Sequence, residues 1–123
     1  MSYTLNPDDV IAYNATLGNA VIDRGKLESA LARPLATFGG KLLHSTIIDQ
    51  AAALLDGLCQ AHAFTDGNKR VAWVATLIYL ASNRYIMLAV PDADAADFVI
   101  EVVEHRHSLN EIADWLQENT IRV

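Results

Sequence analysis

Two apolar segments with helical character, residues 47–58 and 71–83, flank a polar stretch of nine residues, and this arrangement constrains the fold most strongly. The second segment is apolar on nearly every side, which is typical of a helix packed among several others. The sequence therefore predicts that the polar stretch joins two core helices, the second of them central. In the first segment the apolar residues recur at helical spacing: Ile47, Ile48, Ala51, Leu54, Leu55 and Leu58.

Capping signals predict two further helices before this pair. Asn6 has the side chain of an N-cap, and Pro7 suits the first helical position because its missing N–H would have no partner there. The helix that begins here is expected to run to about Gly18. A second, short helix is expected over about residues 26–32, and Pro34 prevents it from continuing.

The last third of the chain carries similar signals. Residues 84–90 are apolar and partly β-branched, and they are expected to be extended. Pro91 begins a helix that should reach about His105. Ser108 and Glu111 have the spacing of a capping box, which predicts the start of a final helix.

The predicted fold class is therefore all-α, a compact bundle of about six helices. A Gly-Gly break within residues 35–43 interrupts any regular period and predicts a short flap, either a loop or a hairpin. A hydrophobic content of 52% is ample for one buried core in a chain of 123 residues, so residues 1–123 are interpreted as a single domain.

Charge and the lengths of the apolar runs argue against several classes of protein. A net charge of −6 without a basic stripe is unsuited to direct binding of nucleic acid by this chain alone. The longest nearly apolar run, residues 71–81, is shorter than the roughly 20 residues that cross a bilayer. Residues 1–6 lack the basic-then-apolar order of a signal peptide, so we expect a cytoplasmic protein without membrane association.

The cysteine and two of the histidines are interpreted as structural. Cys59 lies within an apolar helical pattern, which favours a buried thiol over a nucleophile. His105 and His107 have no third ligand at zinc-like spacing, and we assign them to a solvated linker between helices.

The polar stretch, residues 62–70 (HAFTDGNKR), combines groups that suit phosphate chemistry. His62 has a side chain that can accept a proton near neutral pH. Asp66 can hold Mg²⁺. Residues 67–70 lie where the next helix should begin, and free backbone N–H groups and two cations at a positive helix end suit an anion such as a polyphosphate.

Each of these residues also has a simpler interpretation. His62 could be a hydrogen-bonded group at a helix end, and Asp66 could cap the following helix. Lys69 and Arg70 could be a solvated pair, although two cations in a first turn oppose the helix dipole unless an anion compensates. Phe64 is assigned to the core, where it would anchor the loop beneath the polar groups.

The nine residues resemble the signature of the Fic/Doc family, H-x-F-x-(D/N)-(G/A)-N-(G/K)-R. Fic adenylyltransferases typically carry Gly-Asn-Gly-Arg and a second arginine three residues later. Here Lys69 replaces the second glycine and Trp73 stands at the position of the second arginine, which makes the chain more similar to the death-on-curing (Doc) toxins. Residues 24–34 also resemble the segment that precedes the motif in that branch.

The resemblance implies a role for each matching residue. His62 would be the general base that takes the proton of a target hydroxyl, with Arg70 as the second catalytic residue. Asp66 would position Mg²⁺ on the phosphates of ATP. The nucleotide would be held by the anion site, formed by Gly67, Asn68, Lys69 and Arg70. The flap would hold the target segment by strand-like pairing, through Phe38, Gly39, Gly40 and Lys41.

The reaction implied for a Doc toxin is transfer of the γ-phosphoryl group of ATP to a Ser or Thr hydroxyl of a protein, with elongation factor Tu as the family's target and arrest of translation as the result. A Fic-type transfer of AMP remains an alternative. A non-catalytic module that binds an antitoxin and acts as a corepressor is a third interpretation, favoured if Lys69 or Trp73 blocks entry of the nucleotide.

Fic-like proteins are commonly inhibited by a segment (S/T)-x-x-x-E-(G/N). No Ser or Thr of this chain is followed four residues later by Glu. The resemblance therefore implies a separate partner, a small antitoxin with a disordered segment that folds on binding.

Overall fold

The computed structural model describes residues 5–123, which form six α-helices, one 3₁₀ turn and two antiparallel two-stranded sheets. Residues 1–4, on which the expectation about a signal peptide partly rests, lie outside the described part. Within that part, none of the helices is long and apolar enough to cross a membrane. The elements are α1 Pro7–Ala15, α2 Arg24–Ala32, the 3₁₀ turn Arg33–Leu35, β1 Thr37–Phe38, β2 Lys41–Leu42, α3 Ile47–Ala61, α4 Asn68–Ser82, β3 Tyr85–Met87, α5 Asp92–Val103, α6 Leu109–Glu118 and β4 Thr120–Arg122.

The predicted starts of α1 and α6 are confirmed by their caps, whereas α2 begins at Arg24, two residues earlier than predicted. The Asn6 side chain accepts a hydrogen bond from the Asp8 N–H at 2.8 Å at the start of α1. At α6 the capping box is complete, since the Ser108 hydroxyl accepts from the Glu111 N–H at 3.1 Å and the Glu111 carboxylate accepts from the Ser108 N–H at 2.9 Å. Two predicted ends were too late: α1 ends at Ala15 and α5 at Val103.

The flap is a hairpin. β1 and β2 pair in the register Thr37 with Leu42 and Phe38 with Lys41. Gly39 and Gly40 form the turn with φ of +59° and +79°, a conformation that glycine adopts without a steric penalty. The sequence left a loop and a hairpin open, and the structure contains the hairpin.

The extended segment after α4 has a partner that the sequence did not reveal. β3 pairs antiparallel with β4, and Ile86 lies opposite Ile121. Asn119 ends α6 with its side chain on the Trp115 carbonyl, which turns the chain back toward β3. This sheet joins the end of α4 to the last described residues.

The prediction that α4 is the central helix was wrong, because α3 occupies that position. Ten of the fifteen residues of α3 are buried, compared with six of the fifteen of α4. Small side chains at residues 51–53 and Gly57 let neighbouring helices approach α3 closely. On α4, Ile78 is 43% exposed despite its apolar surroundings in the sequence.

The prediction of a solvated linker between α5 and α6 is confirmed for His105, which is exposed, but is wrong for His107. His107 lies 2.8 Å from the Glu101 carboxylate and packs against the ring of Phe98, which is stacked on Trp115 at a centroid distance of 3.9 Å. His107 is therefore a packing residue. Among residues 5–123, no group of three potential ligands surrounds a metal position.

Candidate active site

The first candidate residue, His62, ends α3 in a left-handed conformation with φ +47° and ψ +47°. A helix end of this kind favours glycine, and other residues adopt it at a cost of about 1 kcal/mol. The side chain is exposed and has no hydrogen-bond partner among residues 5–123. The described structure therefore contradicts the simpler interpretation of His62 as a hydrogen-bonded group at a helix end.

The loop after His62 is closed by the Asn68 side chain. Its Nδ2 donates to the Phe64 carbonyl at 3.0 Å, and its Oδ1 accepts from the Phe64 N–H at 3.1 Å. Phe64 is 3% exposed and belongs to the core, as predicted. Because both ends of the Asn68 carboxamide are engaged, this residue can offer an anion its backbone N–H, while its side chain fixes the loop.

A strap formed by residues 19–23, between α1 and α2, holds the loop from outside. Thr65 N–H donates to the Ala20 carbonyl at 2.9 Å, and the Ala20 N–H donates to Thr65 Oγ1 at 3.1 Å. Ile22 N–H donates to the Ala63 carbonyl at 2.7 Å. Residues 63–65 of the loop are therefore paired with the strap, a contact that no local pattern in the sequence predicts.

Asp66 and Gly67 form the turn into α4. The N-cap is Gly67, with φ +76°, so Asp66 stands one position too early to cap the helix. The Asp66 carboxylate accepts a 2.7 Å hydrogen bond from the adjacent Gly67 N–H through Oδ1. The residue is exposed, and Oδ2 has no hydrogen-bond donor among the described residues.

The first turn of α4 presents unpaired positive groups. The backbone N–H groups of Asn68, Lys69 and Arg70 make no hydrogen bond within residues 5–123. Neither Lys69 nor Arg70 has a carboxylate within 4.0 Å in that part of the chain, and both are exposed. Residues 66–70 surround a depression of about 170 Å³. Cations that oppose the helix dipole without a protein counterion favour an anionic ligand here.

A larger cavity of about 290 Å³ adjoins this depression and shares Lys69 and Arg70 with it. Its remaining walls come from Trp73 on α4 and from α5, whose contribution the sequence reasoning missed. Lys69 and Trp73 therefore line an open space and do not fill it. The lining residues are Lys69, Arg70, Trp73, Asp92, Ala95, Ala96, Val99 and Ile100.

The single carboxylate at this turn fits one kind of metal site. Mg²⁺ is commonly bound by one or two carboxylates together with phosphates of a substrate and water. Asp66 can supply one oxygen while its other oxygen keeps the bond to Gly67 N–H. The donor set therefore suits Mg²⁺ carried by a nucleotide and does not suit a cation held by protein ligands alone.

The flap residues lie on a separate element. Phe38 is 81% exposed, the largest exposure among the large apolar residues that the structure describes. The hairpin is anchored at its base, where the Leu43 N–H donates to the Ala36 carbonyl at 2.9 Å and Gln50 Nε2 donates to the His44 carbonyl at 3.1 Å. No hydrogen bond links it to residues 62–70 in the described structure.

Comparisons with known proteins identify the family of this chain. The model of the Fic/DOC family matches residues 4–80, which end within α4. A curated protein from Mycolicibacterium smegmatis named Toxin Doc is 40% identical over 119 residues, covering 92% of this chain and 90% of that protein, so the likeness extends into the C-terminal helices. The chain therefore belongs to the Fic/DOC family and, within it, to the Doc toxin branch.

Proposed function

We propose that this protein is a Doc-like toxin of a toxin–antitoxin module, which transfers the γ-phosphoryl group of ATP to a Ser or Thr hydroxyl of a cytoplasmic protein. The observation that carries the proposal is the first turn of α4, where three N–H groups and two cations, Lys69 and Arg70, have no partner among residues 5–123 and line one depression with Asp66. By resemblance the target is elongation factor Tu, and the result is arrest of translation.

Residues of this chain contribute to the phosphoryl transfer in two ways, by accepting a proton and by neutralising charge. His62, exposed and free of hydrogen bonds in the described structure, takes the proton of the target hydroxyl as that oxygen attacks the γ-phosphorus. The bond from this phosphorus to the β–γ bridging oxygen breaks, and ADP leaves. Lys69, Arg70 and the free N–H groups neutralise the charge on the phosphoryl oxygens. Mg²⁺ held by Asp66 would add further neutralisation of the phosphates. Positioning and electrostatics supply most of the catalysis in such transfers.

The cavity between α4 and α5 favours AMP transfer as a second candidate. A nucleoside in that cavity would bring the α-phosphate nearest to Lys69 and Arg70, as transfer of AMP requires. Transfer of the γ-phosphoryl requires the nucleotide to be inverted, with its nucleoside outside the cavity. Lys69 stands in place of the glycine typical of adenylyltransferases, and by resemblance to Doc toxins this exchange supports the inverted orientation.

Labelled ATP distinguishes the two reactions. With purified protein, Mg²⁺ and a bacterial lysate, we expect label from the γ-phosphate on one protein of about the size of an elongation factor, and none from the α-phosphate. The variant Ala96→Phe, which narrows the cavity, should leave γ-label transfer nearly unchanged. The reverse labelling, together with a loss of transfer in this variant, would establish AMP transfer.

Two substitutions test the assigned roles. His62→Ala should lower the transfer rate by about a hundredfold or more and leave ATP binding nearly unchanged, as expected for loss of a general base. Asp66→Asn keeps the acceptor for the Gly67 N–H but removes the charge, so it should weaken Mg²⁺-dependent binding of ATP. Full activity of the first variant, or unaltered Mg²⁺ dependence of the second, would contradict these roles.

The proposal includes a small antitoxin whose disordered segment folds on this chain. It is supported by the lack of an internal inhibitory motif and by the exposed cations of Lys69 and Arg70, which suit an acidic partner. Expression of the chain alone should arrest bacterial growth, and co-expression of the neighbouring open reading frame should restore it. Harmless expression of the folded chain would instead favour the non-catalytic module.

A further inference from the structure

Asn14 is a fully buried polar residue at the end of α1, far from the motif in sequence. Its Nδ2 donates to the Asp66 carbonyl at 3.1 Å, and its Oδ1 accepts from Asn19 Nδ2 at 3.0 Å. A buried amide is stable only when it is hydrogen-bonded, and here one of its partners is the backbone of the candidate active site.

The two amides also pack tightly against Gly67. A Cβ atom built on Gly67 would lie 2.7 Å from Asn14 Oδ1 and 2.8 Å from Asn19 Nδ2. The turn therefore touches the pair of amides directly, and any side chain at this position would displace them. This contact is a second reason why position 67 requires glycine, in addition to the φ of +76°.

The hydrogen bond to Asp66 fixes the direction of a peptide group. The peptide between Asp66 and Gly67 is trans and planar, so its carbonyl and its N–H point in opposite directions. With the carbonyl held by Asn14, the Gly67 N–H points away from α1, where Asp66 Oδ1 accepts it. In the flipped peptide, a carbonyl oxygen would replace that N–H and would repel a phosphate.

We propose that Asn14 is a positioning residue for the anion site, because it holds the Asp66–Gly67 peptide with its carbonyl oxygen turned away from the place where a phosphate would bind. Asn19 supports it by fixing the orientation of the Asn14 carboxamide. The inference rests on the proposed function for its effect on ATP, while its structural part can be measured without any nucleotide.

The test uses Asn14→Leu, which has nearly the same shape but can neither donate nor accept. Asn119→Leu is the matched control, because Asn119 Nδ2 also donates to a backbone carbonyl, that of Trp115 at 2.8 Å, far along the chain from the motif. Asn19→Ala is the milder second variant, since it removes the support and leaves the Asn14 donor in place. Circular dichroism identifies which variants fold.

The first measurement is amide hydrogen exchange by NMR. In Asn14→Leu we expect the exchange rate of Gly67, whose N–H is hydrogen-bonded, to rise about tenfold or more relative to residues in the core of α3, with a smaller rise in Asn19→Ala and none in Asn119→Leu. Unchanged exchange at Gly67 in folded Asn14→Leu, or in Asn19→Ala if the former does not fold, would overturn the proposal.

The second measurement is calorimetric binding of ATP with Mg²⁺, followed by steady-state transfer. We expect an affinity at least about tenfold weaker in Asn14→Leu, with the KM for the protein target unchanged. A general loss of structure would change both, and Asn119→Leu should change neither. If the wild-type chain binds no ATP, the proposed function fails, and the exchange rates alone decide the role of Asn14.

Discussion

At the scale of single residues, position 62 shows a conflict between stability and chemistry. The backbone there has φ +47°, and α3 would end more favourably on glycine. The chain carries histidine instead, with its imidazole exposed. A strained residue with an unengaged side chain is typical of a site at which selection acts on something other than stability.

We therefore expect His62→Gly to be more stable than His62→Ala by about 0.5–1 kcal/mol, since alanine keeps the left-handed strain and glycine does not. Both variants should be inactive. The free energies of unfolding come from urea denaturation monitored by circular dichroism.

His105 provides the control, because it is also an exposed histidine with positive φ, +59°. His105→Gly and His105→Ala should differ in stability by a similar amount and retain activity. If the glycine variant is no more stable than the alanine variant at either position, the positive φ does not lower the free energy of unfolding.

That the motif residues lie together at the turn into α4 could be predicted from sequence, because they are neighbours in the chain, but the contacts of each side chain could not. Asn68 was predicted to bind phosphate, yet its carboxamide is engaged by the Phe64 backbone. Asn14 was not singled out, since nothing in α1 indicates that this side chain reaches residue 66. The role of a polar residue such as Asn14 can be inferred only once its burial and its hydrogen-bond partners are known.

At the scale of elements, the features that depend on neighbouring residues were predictable. The caps at Asn6 and Ser108 and the Gly-Gly turn are decided by side chains within three positions. The pairing of β3 with β4 and the central position of α3 depend on residues far apart in sequence. Local hydrophobic patterns contain no signal for either.

The capping box of α6 has a pH dependence that can be measured. The Ser108 N–H lowers the pKa of the Glu111 carboxyl below its ordinary value of 4.5 by hydrogen bonding to the charged form. A lowered pKa means that the contribution to stability is present above about pH 4.5 and is lost as the pH falls through the folded-state value.

Glu111→Gln keeps an acceptor for the Ser108 N–H but does not titrate. We expect the stability difference between the wild type and this variant to be constant between neutral pH and about pH 5 and to shift against the wild type at lower pH, as measured by urea denaturation at each pH. If the stability difference between the two proteins does not change with pH, the capping box does not favour the ionised Glu111 carboxylate over its protonated form.

At the scale of the whole molecule, Cys59 reports on opening of the core. Burial, with a smaller effect of Asp56, raises the pKa of its thiol to about 12. Only the thiolate reacts with alkylating agents. At pH 8 we expect iodoacetamide to modify the native protein more slowly than a free thiol by about three orders of magnitude.

The measurement is mass spectrometry at increasing urea. The modification rate should rise with the unfolded population, because Cys59 is 1% exposed in the native state. Rapid labelling without denaturant would contradict the burial of this thiol and identify a local opening near the end of α3.

The strap between α1 and α2 also sets the order in which the molecule can become active. Hydrogen bonds join Ala20 of the strap to Thr65, and Asn14 at the end of α1 to Asp66, across 45 and 52 positions of the chain. Contacts of such range form after the intervening helices have folded, since closing a long loop costs entropy that local structure must first offset. During refolding, helical signal should therefore return before ATP binding does, and a chain that has reached only its secondary structure is still harmless.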